Sequence, residues 1–216
     1  MKREALLLIT ALAGTGSAHA TNLLTNGSFE DPNIVATNNY VLYGTGSTAI
    51  TGWTVVGDDT QLTPDTYLGL LASDGRQWID LTGIFDYDKG VRSDAVTTTI
   101  GQSYNLTFAL GNFVPFGTSS LSVSINGGPA SIFTNLVNGV GPTMDWENKS
   151  LTWVADATSA QITFRGVANG ALSNNSAIGL DNAGFAPVPE PATYALTLAG
   201  LGAVGVAVRR QKRKVA

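Results

Sequence analysis

The 216-residue chain contains no cysteine and a single histidine, His19. Disulfide staples, thiolate nucleophiles, histidine-based triads and zinc sites of the cysteine and histidine kind have no residues to be built from beyond that position. Cations are scarce as well. Residues 21 to 186 hold five lysines and arginines against fourteen aspartates and glutamates, a net charge near −9. A nucleic-acid partner requires a basic face that displaces counterions from phosphates, and this balance offers the reverse, so nucleic acid is not expected as a partner. An acidic, lysine-poor surface suits a soluble exported domain and carries the oxygen ligands that divalent cations take. With no staples available, stability must come from the core alone, for which roughly 166 residues are enough.

Sustained apolar runs stand only at the two ends. The first twenty residues begin with Lys2 and Arg3, continue through an apolar run from Ala5 to Ala13 and close on Ala18-His19-Ala20. This is the pattern of a signal peptide with an A-x-A-like cleavage site, and it places the mature start at Thr21. The run is shorter than the ~20 residues that span a bilayer. At the other end Val188-Pro189-Glu190-Pro191 precedes an uncharged apolar stretch from Ala192 to Val208, followed by Arg209-Arg210-Gln211-Lys212-Arg213-Lys214. That stretch is at the lower limit for a transmembrane helix and is apolar on every side, which suits lipid better than a packed surface helix. The basic cluster beyond it is expected to stay cytoplasmic and to leave the preceding domain outside.

The order of Pro189-Glu190-Pro191, apolar helix and Arg-rich end resembles the PEP-CTERM sorting signal over residues 188 to 216. The resemblance implies an exosortase as processing partner, transient anchoring in the inner membrane, and delivery to the cell surface or exopolysaccharide matrix of a Gram-negative bacterium. Three parts follow: a signal peptide over 1–20, an extracellular domain over 21–186 and a sorting signal over 187–216.

Within the domain, period-two alternation marks half-buried strands. Tyr104, Leu106, Phe108 and Leu110 alternate with Ser103, Asn105, Thr107 and Ala109; Leu121, Val123 and Ile125 alternate with serines up to a turn at Asn126-Gly127-Gly128-Pro129. Leu151 and Trp153, then Ala160, Ile162 and Phe164, form two further runs separated by Asp156 to Ser159, which read as a hairpin. Other strands are expected at Trp53–Val56, Gln77–Leu81, Asp94–Ile100 and Ile178–Phe185. Eight or nine strands with no convincing helix, joined by Gly, Asn, Ser, Thr and Pro, indicate an all-β sandwich.

The domain opens on Asn22-Leu23-Leu24-Thr25-Asn26-Gly27-Ser28-Phe29-Glu30 and closes on Ile178-Gly179-Leu180-Asp181-Asn182. Asp74-Gly75-Arg76-Gln77-Trp78-Ile79-Asp80-Leu81 and Gly101-Gln102-Ser103-Tyr104 lie between. Together these elements resemble jelly-roll carbohydrate-binding modules and their galactose-binding-like relatives. The resemblance implies a jelly-roll β-sandwich and a structural calcium ion held by Glu30 and Asp181. Calcium takes six to eight oxygens, which two carboxylates and nearby carbonyls can supply. The alternative at these positions is two carboxylates that cap backbone amides.

Sugar-binding modules stack aromatic rings on the apolar faces of pyranoses. Trp53 and Trp153 sit in apolar strand patterns and are expected in the core. Trp78 falls opposite Ile79 and Leu81, and Tyr87, Phe113 and Phe116 fall in expected loops, so these four are the ligand-binding candidates. Asp86-Tyr87-Asp88-Lys89-Gly90 lacks the closing Glu of an EF-hand loop and reads as a solvated turn. Asp58-Asp59 and Asp145-x-Glu147 offer paired carboxylates of the kind a glycosidase uses. The favoured reading is a non-catalytic carbohydrate-binding module of the exopolysaccharide matrix. A structural or adhesive protein acting through protein contacts and a polysaccharide hydrolase are the alternatives.

Overall fold

A computed structural model of the chain describes residues 21–82, 89–113, 118–137, 143–167 and 177–189, together with Gly200 and Gly202, which are helical. The expected signal peptide, Glu190 and Pro191, and most of the expected tail helix lie outside the described residues. Among the described residues no helix is long and apolar enough to cross a membrane. Residues Thr21–Val188 form one compact unit.

In chain order the strands are β1 (Val41–Gly44), β2 (Trp53–Gly57), β3 (Asp59–Pro64), β4 (Gln77–Asp80), β5 (Lys89–Ser93), β6 (Val96–Thr97) and β7 (Ser103–Phe113). They continue as β8 (Ser119–Ile125), β9 (Ser131–Asn135), β10 (Met144–Val154), β11 (Ser159–Ala160), β12 (Ile162–Gly166) and β13 (Ile178–Pro187). One sheet runs β1-β3-β4-β13-β7-β10 and the other β2-β5-β12-β8-β9, all neighbours antiparallel. The last four strands of each sheet order, β4-β13-β7-β10 and β5-β12-β8-β9, have the order of a jelly roll.

The alternation seen in the sequence sorts side chains between core and surface. Tyr104, Leu106, Phe108 and Leu110 of the first sheet meet Trp53, Val91, Leu121, Val123 and Phe164 of the second in one apolar cluster. Ring pairs tie the layers together, with Phe108 and Phe164 centroids 5.1 Å apart and Trp53 packed 5.0 Å from Phe29. Such contacts add about 0.5–1.5 kcal/mol each beyond their buried area.

One expectation is corrected. The runs around Leu151–Trp153 and Ala160–Phe164 are not a hairpin: β10 pairs with β7 in the six-stranded sheet, and β12 pairs with β5 and β8 in the other. Alternation fixes which face a residue shows but not which strand it pairs with, and the short link crosses between layers instead of turning within one.

The opening motif acts as a seal. Asn22 Oδ1 accepts the N–H groups of Leu24 and Phe185, and its Nδ2 donates to the Ala183 carbonyl. Ala183 N–H in turn donates to the Gly27 carbonyl at 2.8 Å. The N-terminal segment is thereby stitched to β13 and lowers Phe29 into the core with no exposed surface.

Candidate functional site

The outer face of the six-stranded sheet carries every other residue of its strands. From β4 it receives Trp78 and Asp80, from β13 Gly179 and Asp181, from β7 Gly111 and Phe113, and from β10 Met144, Trp146, Asn148 and Ser150. Residues 65 to 76 fold back over part of this face. Leu70 closes over Trp78 together with Met144 and Ala177, and Ala72, Phe113 and Trp146 pack at the margin, forming a second, smaller apolar cluster.

Trp78 is therefore on the expected face but is not an exposed ring. Only 1% of it is accessible, and its indole N–H donates to the Leu70 carbonyl at 3.1 Å. The roof, invisible to an alternation pattern, turns it into a core residue. Phe113 is half-buried at the end of β7. Tyr87 and Phe116 lie outside the described residues. Trp53 is buried as expected, and Trp153 lines the core margin beside Tyr104 and Phe185.

The indole that does reach the surface is Trp146, which sequence reasoning passed over. It is half-buried, and its N–H donates to the Leu71 carbonyl at 2.9 Å. Trp78 meets it edge-on at 6.0 Å and 79°. Beneath it lie two glycines on neighbouring strands, Gly111 and Gly179, which are paired in register. A Cβ on either would stand 2.7 Å from a carbon of the Trp146 six-membered ring, and closer still to the Met144 methyl. The two missing side chains thus make the floor on which the ring rests. Leu71 beside it is 65% exposed. The signal for Trp146 was present: Leu151 and Trp153 point inward, so counting back in twos leaves Trp146 on the opposite face.

The two carboxylates of the opening and closing motifs converge on the roof segment. Glu30 Oε1 accepts the N–H groups of Arg76 (2.7 Å) and Gln77 (2.8 Å). Asp181 Oδ2 accepts those of Ser73 and Asp74, each at 2.8 Å, while Oδ1 accepts Asn182 N–H at 2.7 Å. Gly75 between these anchors has φ +67°, and a Cβ there would sit 2.3 Å from Glu30 Oε1. Five backbone N–H groups are held by three of the four carboxylate oxygens. The residues present fit a clasp on the loop better than a calcium cage, which is the amide-capping alternative raised by the sequence.

Burial also shifts two carboxylates on this face. Asp181 is pushed up to about 7, first by desolvation, against the pull of its amide donors. Asp80 is pushed up to about 6 for the same leading reason, opposed by hydrogen bonds from Thr82 and Ile178. Both folded values lie above the ordinary 3.8, so the folded state holds more protons between these limits. Their contribution to stability is complete below about pH 4 and is lost as pH rises through 6 and 7. The melting temperature is therefore expected to rise when pH is lowered from 8 to 5, and Asp80→Asn should flatten that rise. A melting temperature that falls over this interval would contradict the assignment.

Of the other paired carboxylates, Asp58, Asp59 and Glu147 are engaged in ion pairs. Lys89, with 1% exposure, reaches Asp58 at 3.0 Å and Asp59 at 2.7 Å, and Lys149 reaches Glu147 at 2.6 Å.

Residues 22–179 match the family model described as "Protein of unknown function (DUF642)". The chain belongs to the DUF642 family. A second model, the PEP-CTERM protein-sorting motif, matches residues 187–213 and makes this an exported DUF642 protein whose C-terminal motif implies membrane anchoring and exosortase processing. The chain is 30% identical over 192 residues to halomucin of Haloquadratum walsbyi, covering 86% of this chain but only 2% of that much longer protein. Among solved structures, a cyclase from Fischerella sp. TAU aligns over 80% of this chain and 99% of its own with a TM-score of 0.53 at 14% identity. The TmCBM61 structure in complex with beta-1,4-galactotriose covers 78% of this chain and 100% of its own, with a TM-score of 0.40 at 16% identity. The likeness to the cyclase, at 14% identity, describes a shared fold and no more.

Proposed function

We propose that this DUF642 domain is a non-catalytic glycan-binding module that its sorting motif delivers to the exopolysaccharide matrix of a Gram-negative cell. The observation that carries the reading is Trp146: a half-exposed indole held over a two-glycine floor, braced by Trp78 and fixed through its N–H to the roof. An aromatic ring immobilised in this way meets a pyranose face at little entropic cost. Asn148 and Ser150, exposed on the same face of β10, supply polar partners for sugar hydroxyls.

Chain direction supports the arrangement. Phe113 and Met144 pair where β7 ends and β10 begins, whereas the domain leaves for its tail at the opposite end, where Val188 N–H donates to the Ser103 carbonyl. Trp146 thus stands toward the end remote from the chain exit.

Affinity electrophoresis of residues 21–188 in gels containing soluble polysaccharides tests the proposal. Trp146→Ala is expected to weaken retention at least about tenfold, a loss of about 1.4 kcal/mol. Trp146→Phe should keep most of it. Retention unchanged in Trp146→Ala, with the fold intact by circular dichroism, would reject the platform.

A further inference from the structure

Along β10 beyond Trp146, the outer face of the six-stranded sheet continues as rows read across β10, β7 and β13. Trp146 shares a row with Gly111 and Gly179, Asn148 with Ala109 and Asp181, and Ser150 with Thr107 and Gly184. β10 therefore forms a wall beside two strands that present mostly small residues. A surface depression of about 380 Å³ lies at the lower rows, lined by Thr107, Phe108, Asn148, Lys149, Ser150 and Asn182. Its size falls within the range of sites that hold small ligands.

Asn182 reaches the depression through an irregularity in β13. Asp181 pairs with Ala109 and Gly184 with Thr107, so three steps on β13 match two on β7. The extra residue is a bulge, and bulges re-aim side chains. Asn182 takes φ +47°, a left-handed conformation that asparagine tolerates better than most residues. Gly184 keeps the opening clear, since a Cβ there would stand 3.0 Å from Thr107 Oγ1. Thr107, Asn148, Ser150 and Asn182 are all exposed, and their side chains make no hydrogen bond among the described residues. Two amides and two hydroxyls, each able to donate and to accept, thus line one depression. Sugar hydroxyls also do both, whereas carboxylate and sulfate groups only accept. Of the lining residues only Lys149 is charged, and its ammonium is held by Glu147 at 2.6 Å. Asp181 on the same face has no exposed surface.

We infer that this face holds several consecutive units of an uncharged linear glycan, with one sugar stacked on Trp146 and later sugars of the same chain hydrogen-bonded by Thr107, Asn148, Ser150 and Asn182. The inference rests on the glycan-binding proposal and adds to it a second subsite, a chain direction along β10 and a class of ligand. Spacing requires more than one sugar. At about 3.3 Å per residue, Ser150 lies roughly 13 Å along the strand from Trp146, beyond the reach of a single pyranose. Two strand spacings, roughly 10 Å, separate β10 from β13, which leaves width for one chain.

The test is titration of residues 21–188 with β-1,4-linked gluco-, manno-, galacto- and xylo-oligosaccharides of one to six units, followed by amide chemical shifts. In a series that binds, affinity should rise at least about tenfold between disaccharide and tetrasaccharide and then level off, as further hydrogen-bonded contacts are added and exhausted. Asn182→Gly removes the amide and suits the left-handed backbone; it should lower tetrasaccharide affinity about threefold, and Thr107→Ala with Asn182→Gly about tenfold, with a smaller effect on the disaccharide. Trp146→Ala should weaken every length. Affinity that depends on Trp146 but does not grow with length would overturn the second subsite and leave the platform standing. Undiminished growth with length in the double variant, at its native melting temperature, would overturn it as well. A hexauronate bound more tightly than every neutral hexasaccharide would overturn the uncharged class, and no binding in any series would overturn the whole inference. Length-dependent affinity untouched by Trp146→Ala would count against the platform and not against the Thr107 and Asn182 subsite.

Discussion

Gly27→Ala is expected to unfold the domain or bring it close to unfolding. A Cβ at position 27 would lie 1.9 Å from the Ala183 carbonyl oxygen and 3.0 Å from its carbon. Both atoms are backbone, so no rotamer change relieves the clash. The N-terminal segment has to lift away from β13, and the losses then accumulate: the Ala183 to Gly27 and Leu23 to Phe185 hydrogen bonds, the three made by the Asn22 side chain, and the burial of Phe29. Exposing a fully buried phenylalanine costs about 1.5–3 kcal/mol on its own. The total should exceed about 4 kcal/mol, in the range reserved for severe packing failures. Urea unfolding of the variant measures it; a midpoint near that of the parent would show that the seal does not bear on stability.

The second large effect is expected at Asp181. Truncation to alanine removes the acceptor for three backbone N–H groups in a residue with no exposed surface. Each donor stranded in this way costs about 1–3 kcal/mol, so Asp181→Ala should destabilise the domain by about 3 kcal/mol or more. Asp181→Asn retains a carbonyl oxygen and should cost much less. Glu30→Ala releases the other end of the clasp, where Arg76 and Gln77 dock, and should cost less than Asp181→Ala because Glu30 is only half-buried. Since five amides already hold three of the four oxygens, millimolar calcium or a chelator should move the melting temperature by no more than about a degree, as expected when no ligand binds the folded state. A rise of several degrees with calcium that vanishes in Asp181→Asn would assign the carboxylates to an ion instead.

How much of this was legible beforehand depended on whether a strand has one covered face or two. β7 and β8 alternate over the stretches where one side meets the core and the other does not, and the alternating pattern located them. β3 was missed because Thr60, Gln61 and Thr63 are buried along with Leu62, leaving no polar stripe to read. β5 was missed because it begins with a buried lysine and a glycine, whose meaning depends on Asp58, Asp59 and Arg165 from other strands. The pairing of Glu30 with Asp181 was visible as a motif at each end of the domain. Their shared target was not, because the Ser73–Gln77 loop lies 46 residues from Glu30 at Arg76 and 108 from Asp181 at Ser73. Trp78 was assigned to the correct face but not to the interior, since the 65–76 segment that covers it has no periodicity. Trp146 sat between two acids that drew attention as a carboxylate pair, although the register of its own strand already set it outward.

The central claim is that the Trp146 ring is where glycan meets the protein. The four tryptophans, Trp53, Trp78, Trp146 and Trp153, give four indole N–H resonances, and titration of residues 21–188 with soluble polysaccharide reports on each separately. The account predicts that the Trp146 signal moves most, that Trp78 follows weakly through its edge contact, and that Trp53 and Trp153 stay in place. Saturable binding that leaves the Trp146 resonance unmoved would contradict it.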